Sequence, residues 1–231
     1  MNPQERFRRR GFLAALIIFT AIVLTFVGYL FAAGRDYVRV SLPQRYWLLV
    51  RECEDSTAAA IIGQSYVSGG AGFLYEAGGR QTVALACYYE EATASSVSTT
   101  MAEKGVETRV IPFTPSDFEL NGNAAAQQKR IAANADTVDT CAKILYDTAN
   151  GLERAELSQE GARAAVRGVV SSLRGLAKEN TGAFYESWNT ELVRATRKGV
   201  ELSEGILFAK DLRYLQIQLS VCIVNAGNYF A

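Results

Sequence analysis

The chain contains no histidine. That absence excludes Ser-His-Asp and Cys-His nucleophile devices, histidine general bases and every histidine-containing zinc site. Its four cysteines, Cys53, Cys87, Cys141 and Cys222, form no C-x-x-C pair, so the sequence offers neither a four-cysteine zinc site nor a thioredoxin-type redox pair. No Walker pattern occurs, and Gly69-Gly70-Ala71-Gly72 lacks the further glycine that a dinucleotide fingerprint needs. There is no excess of charge of either sign, since Lys+Arg and Asp+Glu each number 24. No whole-protein field therefore draws the chain toward nucleic acid. The adjacent carboxylates Glu54-Asp55 and Glu90-Glu91 fall where helices should start, which accounts for them without glycosidase chemistry. The expectation is a protein that is not an enzyme, with no catalytic residues, no metal and no cofactor.

What is present in 231 residues is a globular composition, 49% apolar and 21% charged, which excludes intrinsic disorder. The charge balance hides an asymmetry: Arg6, Arg8, Arg9 and Arg10 precede a charge-free run from Gly11 to Ala33. Without residues 1–10 the rest carries 20 basic and 23 acidic side chains. As a helix the run would extend about 34 Å, enough for a bilayer core of about 30 Å. A cleaved signal peptide competes, with Ala32-Ala33-Gly34 as a cleavage site, although its apolar part should be only about 7–15 residues. The arginines ahead of the run place the N-terminus in the cytoplasm. The expected localisation is the cell membrane, single-pass, with the C-terminal domains extracytoplasmic. Outside the cytosol the four thiols could pair, but buried free thiols are the favoured reading.

The segment from Arg45 to Phe113 repeats at an offset of 36 residues: Leu49 with Leu85, Glu54 with Glu90, Thr57 with Thr93, Ala58 with Ala94, Gly69 with Gly105. Each copy opens with an apolar strand, Tyr46–Val50 and Thr82–Tyr88. An acidic helix start follows, then inward apolar positions: Ala58, Ile61 and Ile62 in one helix, and Ala94, Val97 and Met101 in the other. Glycines end each helix, at Gly69-Gly70 and Gly105, and a second strand closes each unit, Gly72–Tyr75 and Val106–Ile111. Gly78-Gly79 supplies the turn between units. The pattern is βαββαβ, a ferredoxin-like α+β fold.

These two strand starts, Tyr46-Trp47-Leu48-Leu49-Val50-Arg51 and Gln81-Thr82-Val83-Ala84-Leu85-Ala86, with the helix starts Glu54–Ala58 and Glu90–Ala94, resemble the SPOR (sporulation-related repeat) domain over about 70 residues. The resemblance implies a non-enzymatic module that binds peptidoglycan glycan strands stripped of stem peptides, on the sheet face away from the helices. Alternation puts Trp47, Leu49, Val83 and Leu85 under the helices. The open face then carries Tyr46, Leu48, Val50, Phe73, Tyr75, Thr82, Ala84, Ala86, Tyr88, Glu107, Arg109 and Ile111. Leu48 and Ala84 stand where the family has polar residues such as Gln. Two readings follow. Aromatic rings stack on sugars while arginines donate hydrogen bonds, giving Tyr46, Arg51, Phe73, Tyr75, Tyr88 and Arg109 as glycan-binding residues. Alternatively the apolar face is an interface. The helices that follow offer a cover for Leu48 and Ala84, which would leave a rim of Tyr46, Arg51, Tyr88 and Arg109.

Beyond Thr114-Pro115-Ser116-Asp117 and Asn121-Gly122-Asn123, which look like a linker, the periodicity becomes helical. Ile131, Ala135, Val138, Ala142, Leu145, Ala149 and Leu152 form one heptad seam, and Ala162, Val166, Val169, Leu173 and Leu176 a second, after an N-cap at Ser158. Phe184, Trp188, Leu192 and Ala195 follow, then an apolar stretch from Leu212 to Val224. An intramolecular bundle is favoured over pairing between chains. The expected organisation is a cytoplasmic stub (1–10), a transmembrane helix (11–33), a stem (34–43), a SPOR-like domain (44–113), a linker (114–123) and a helical bundle (124–231). The expected function is a membrane-anchored envelope protein that binds peptidoglycan glycan strands, has envelope protein partners but no nucleic acid, and localises or scaffolds assembly in division or sporulation. The alternative is a protein–protein assembly module whose sheet is an interaction surface.

Overall fold

The computed structural model describes residues 37–53, 56–66, 71–77, 80–121 and 125–230. The strands are β1 (Tyr37–Val40), β2 (Tyr46–Glu52), β3 (Phe73–Ala77), β4 (Arg80–Tyr88), β5 (Arg109–Phe113) and β6 (Phe118–Asn121). The helices are α1 (Ser56–Tyr66), α2 (Glu91–Glu103), α3 (Ala125–Glu153), α4 (Gln159–Glu179), α5 (Glu186–Glu204), α6 (Ala209–Val224) and α7 (Ala226–Phe230), with a 3₁₀ turn at Ala183–Tyr185. Among the described residues this is an α+β structure with two small antiparallel sheets. The larger runs β3-β4-β2-β5, with α1 and α2 on one face; β1 and β6 make the smaller.

Among the described residues no helix is long and apolar enough to cross a membrane. The fold class and the single-pass cell-membrane placement are corrected accordingly. The stub at 1–10 and the run at 11–33 that carried them lie outside the described residues, as do the Glu54-Asp55 helix start, the Gly69-Gly70 helix end, the Gly78-Gly79 turn and Gly122-Asn123. The stem and linker readings are also revised. Tyr37–Val40 and Phe118–Asn121 pair in register, Val38 opposite Leu120 and Val40 opposite Phe118. Two stretches without helical or long apolar periodicity satisfy their backbone groups against each other.

Local chemistry explains the helix ends. Gly105, with φ +76°, closes α2: its N–H reaches the Ala102 carbonyl, and the Val106 N–H reaches that of Met101. That is a Schellman cap, which favours glycine at the left-handed position. Ser158 caps α4, its Oγ accepting from the Gly161 N–H at 3.1 Å. Within α1, Ala59 rather than Ile61 is the buried position, and Ile61 is 63% exposed. The inward face is rotated from the one the sequence suggested.

Helices α3, α4, α5 and α6 form a four-helix bundle whose core is the two heptad seams; Ile131, Val138, Leu145, Val166 and Leu173 are all fully buried. Helix α6 is buried nearly all round, with Leu212, Leu215, Ile217, Leu219 and Ile223 inaccessible. Because the helix also buries Gln216, Gln218 and Ser220, its cover must come from every side. The bundle gives part of it, and the larger sheet gives the rest.

Candidate functional site

The open sheet face expected from alternation is closed. Leu48 and Ala84 are 0% exposed, and Leu48, Val50, Ala84 and Cys87 belong to one continuous core with the bundle. Polar contacts fix the docking. The Gln216 side chain on α6 donates to the Cys87 carbonyl at 2.9 Å, and the Cys87 thiol lies 3.7 Å from the Ser220 hydroxyl. On α3, Asp136 accepts from Gln44 and Asp139 from the Tyr46 hydroxyl, both at 2.7 Å. The Cys87 carbonyl and the Tyr46 hydroxyl belong to buried residues and are satisfied only in one register, so these contacts select one docking position among many greasy ones.

Each expected glycan-binding residue now has a place. Tyr46 is 1% exposed; burial and its bond to Asp139 push its hydroxyl far above the ordinary range. Tyr88 is also buried, edge-on to Tyr146 with ring centroids 6.2 Å apart. The cause is a bulge. Leu49 pairs with Ala86 but Val50 pairs with Ala84, so Leu85 is left over and the phase of β4 inverts beyond it. Ala86 and Tyr88 therefore join Leu49 and Ala94 on the α1–α2 side. Phe73 is half-buried with its ring 5.0 Å from Tyr214 of α6. Arg51 is half-buried beside Val83, and exposed Arg109 donates to Glu52 at 2.7 Å. The expected rim of Tyr46, Arg51, Tyr88 and Arg109 does not form.

Tyr75 lines a cavity. Its ring meets Phe113 edge-on at 5.2 Å, at the mouth of a cleft of about 500 Å³ between β5, the β5–β6 connection and the α6–α7 junction. Thr114, Ser116, Phe118, Asn225 and Asn228 complete its chemistry. One wall is held by Asp117, which accepts from the Ser41 hydroxyl and from Arg39. Those bonds keep its carboxyl below the ordinary value, Ser41 contributing most. The other wall depends on Gly227, where a Cβ would come within 3.2 Å of the Phe118 Cβ.

Among the described residues the Tyr75, Thr114 and Ser116 hydroxyls and the Asn225 and Asn228 side-chain amides make no hydrogen bond with the protein. The set is neutral, since the one carboxylate is matched by Arg39. It can donate and accept several hydrogen bonds beside aromatic surface. Thr114–Asp117 looked only like a linker in sequence, and nothing local could place Asn225 beside Phe113, more than a hundred positions away.

Among the described residues no cluster of three or more Cys, Asp or Glu could hold a metal. All four cysteines are free thiols; burial pushes Cys87 and Cys222 up to about 12 and Cys141 up to about 11. Comparison of the chain with protein-family models, curated proteins and solved structures finds no match.

Proposed function

We propose that the protein is a non-catalytic glycan-binding scaffold that takes a peptidoglycan glycan strand at the Tyr75 cleft. The observation that carries this reading is the cleft's lining: unpartnered hydroxyl and amide groups against aromatic rings, with no unmatched charge. Glycan strands present hydroxyl and acetamido groups around apolar sugar faces, which such a lining complements through hydrogen bonds and ring contact. Loss of stem peptides removes the carboxylates that a neutral cleft does not offset. The SPOR resemblance points to the same ligand, though by a different surface, because helix α6 occupies the face that the resemblance implied.

The test is retention of the full chain on cell wall with and without amidase treatment. Peptide-stripped wall should retain it, and Tyr75→Ala should weaken retention about five- to tenfold, the size of one aromatic contact and one hydrogen bond. Asn228→Ala should act in the same direction. Retention that ignores both amidase treatment and these substitutions would favour the assembly-module reading.

A further inference from the structure

We infer that the groove between α4 and α5 is a binding site for a phosphate ester. It is separate from the Tyr75 cleft and does not depend on the reading of that cleft. Arg167, Ser171, Arg174 and Lys178 lie on α4 at successive spacings of four, three and four residues, and so on one face. They line a groove of about 600 Å³ with Val200, Ser203 and Glu204 of α5 opposite.

The groove carries three cations and one carboxylate. Among the described residues neither Arg174 nor Lys178 has an ion-pair partner, and Glu204 has none either. Arg167 has only an exposed contact, 3.4 Å to Glu160. The surplus is therefore positive in a chain with no net charge. Two other exposed arginines do sit against carboxylates, Arg109 with Glu52 and Arg194 with Glu191.

Shape gives the same answer. Arg167 and Arg174 each precede a glycine, Gly168 and Gly175, and a Cβ at either would meet nothing within 4 Å. The helix surface next to both arginines is therefore open at these glycines. A Cβ at Gly199 would lie 2.7 Å from Val170 Cγ2, so the two helices are pinned close there and the groove has a fixed floor. Val170 and Val200 provide apolar surface beside the cations. The Ser171 hydroxyl makes no bond within the described residues, and Ser203 Oγ donates to the Val200 carbonyl at 2.8 Å, which leaves its lone pairs free. Two planar guanidinium forks and an ammonium suit a phosphate. The volume exceeds that of a bare phosphate, and the valines suit the organic part of an ester. A soluble sugar phosphate and a phospholipid headgroup share this chemistry.

The experiment uses the full chain and glycerol 3-phosphate, the unit common to both sources, followed by titration calorimetry, with vesicles of phosphatidylglycerol and of phosphatidylcholine as a second arm. Saturable binding of glycerol 3-phosphate, weakened about tenfold or more by Arg174→Gln or Lys178→Gln, assigns the soluble source. No free binding, but preference for phosphatidylglycerol over phosphatidylcholine that the same substitutions abolish, assigns the headgroup. Gly175→Glu is the second variant. It introduces a carboxylate where there is open space and replaces the helix former least favoured after proline. With its circular dichroism unchanged, it should abolish binding in either arm. Binding unaffected by all three substitutions, or none in either arm, overturns the proposal.

Discussion

The two faces of the larger sheet are covered in different ways. One is covered by α1 and α2, which follow β2 and β4 directly, and its core is small: Leu49, Ala59, Val83, Leu85, Ala94 and their neighbours. The other is covered by α6, more than a hundred residues later in the chain, and its core runs without a break into the bundle. In the near cover the Ser98 hydroxyl of α2 meets that of Thr108, only ten positions on, at 2.9 Å, while the distant cover is tied by Gln216 to Cys87 and Tyr46 to Asp139, contacts that join far-separated parts of the chain. Short connections hold a cover in place by themselves. A cover brought from far away needs directional contacts to fix its register.

Leu48→Ala and Leu49→Ala test this contrast with the largest effects. Both residues are at most 1% exposed, on opposite faces. Each substitution should cost about 2–5 kcal/mol, as buried leucine truncations do. Their reach should differ. Leu48→Ala should raise amide exchange in α6 and speed alkylation of Cys87, a thiol that is now 0% exposed and pushed up to about 12. Leu49→Ala should raise exchange in α1 and α2 and leave Cys87 protected. Equal exchange patterns would mean that the two covers open together.

A smaller effect isolates the polar tie. Gln216→Leu keeps most of the volume but strands the Cys87 carbonyl, at a cost of about 1–3 kcal/mol. Gln218 on the same helix is also buried yet makes no hydrogen bond within the described residues. Gln218→Leu should stay within about 0.5 kcal/mol. Urea midpoints measure both, and equal losses would remove Gln216 from any role in docking.

How much of this was legible in the sequence follows the same division. The runs Tyr46–Val50 and Thr82–Tyr88 do lie side by side as strands, and both heptad seams are the bundle core, because periodicity is a local property. The Ser158 cap and the Gly105 terminus were legible for the same reason. The bulge at Leu85 was not, since an extra residue has no meaning until a partner strand sets the register. That one residue moved Tyr88 to the other face. Tyr46 was lost to a different cause, the approach of Asp139 from a helix 93 positions away. The cleft suffered most, as Tyr75, Ser116 and Asn228 come from three separate parts of the chain. Tyr75 stood out in the sequence because alternation marks an aromatic on the open sheet face locally, and the asparagines just beyond α6 and within α7 gave no such sign.

The smallest effect distinguishes two carboxylates by the sign of their pH dependence. Asp139, at the distant cover, has its pKa raised, chiefly by burial and despite the Tyr46 bond. Its carboxyl binds a proton more readily folded than unfolded. Its contribution to stability is therefore complete below the ordinary aspartate value and is lost as pH rises through the folded value. Asp117, in the wall of the cleft, has its pKa lowered by Ser41 and Arg39. Its contribution is present above the ordinary value and is lost as pH falls through the folded one. Urea midpoints from about pH 3 to pH 7 should separate the two. Asp139→Asn retains an acceptor for Tyr46, so it should remove a loss of stability on the rising side. Asp117→Asn should remove a loss on the falling side, and added salt should shrink that difference first, because Asp117 and Arg39 are exposed. If Asp139→Asn leaves the rising side unchanged, burial at the sheet–bundle contact is not what holds that proton. The polar tie at Tyr46 would then fix register without making docking sensitive to pH.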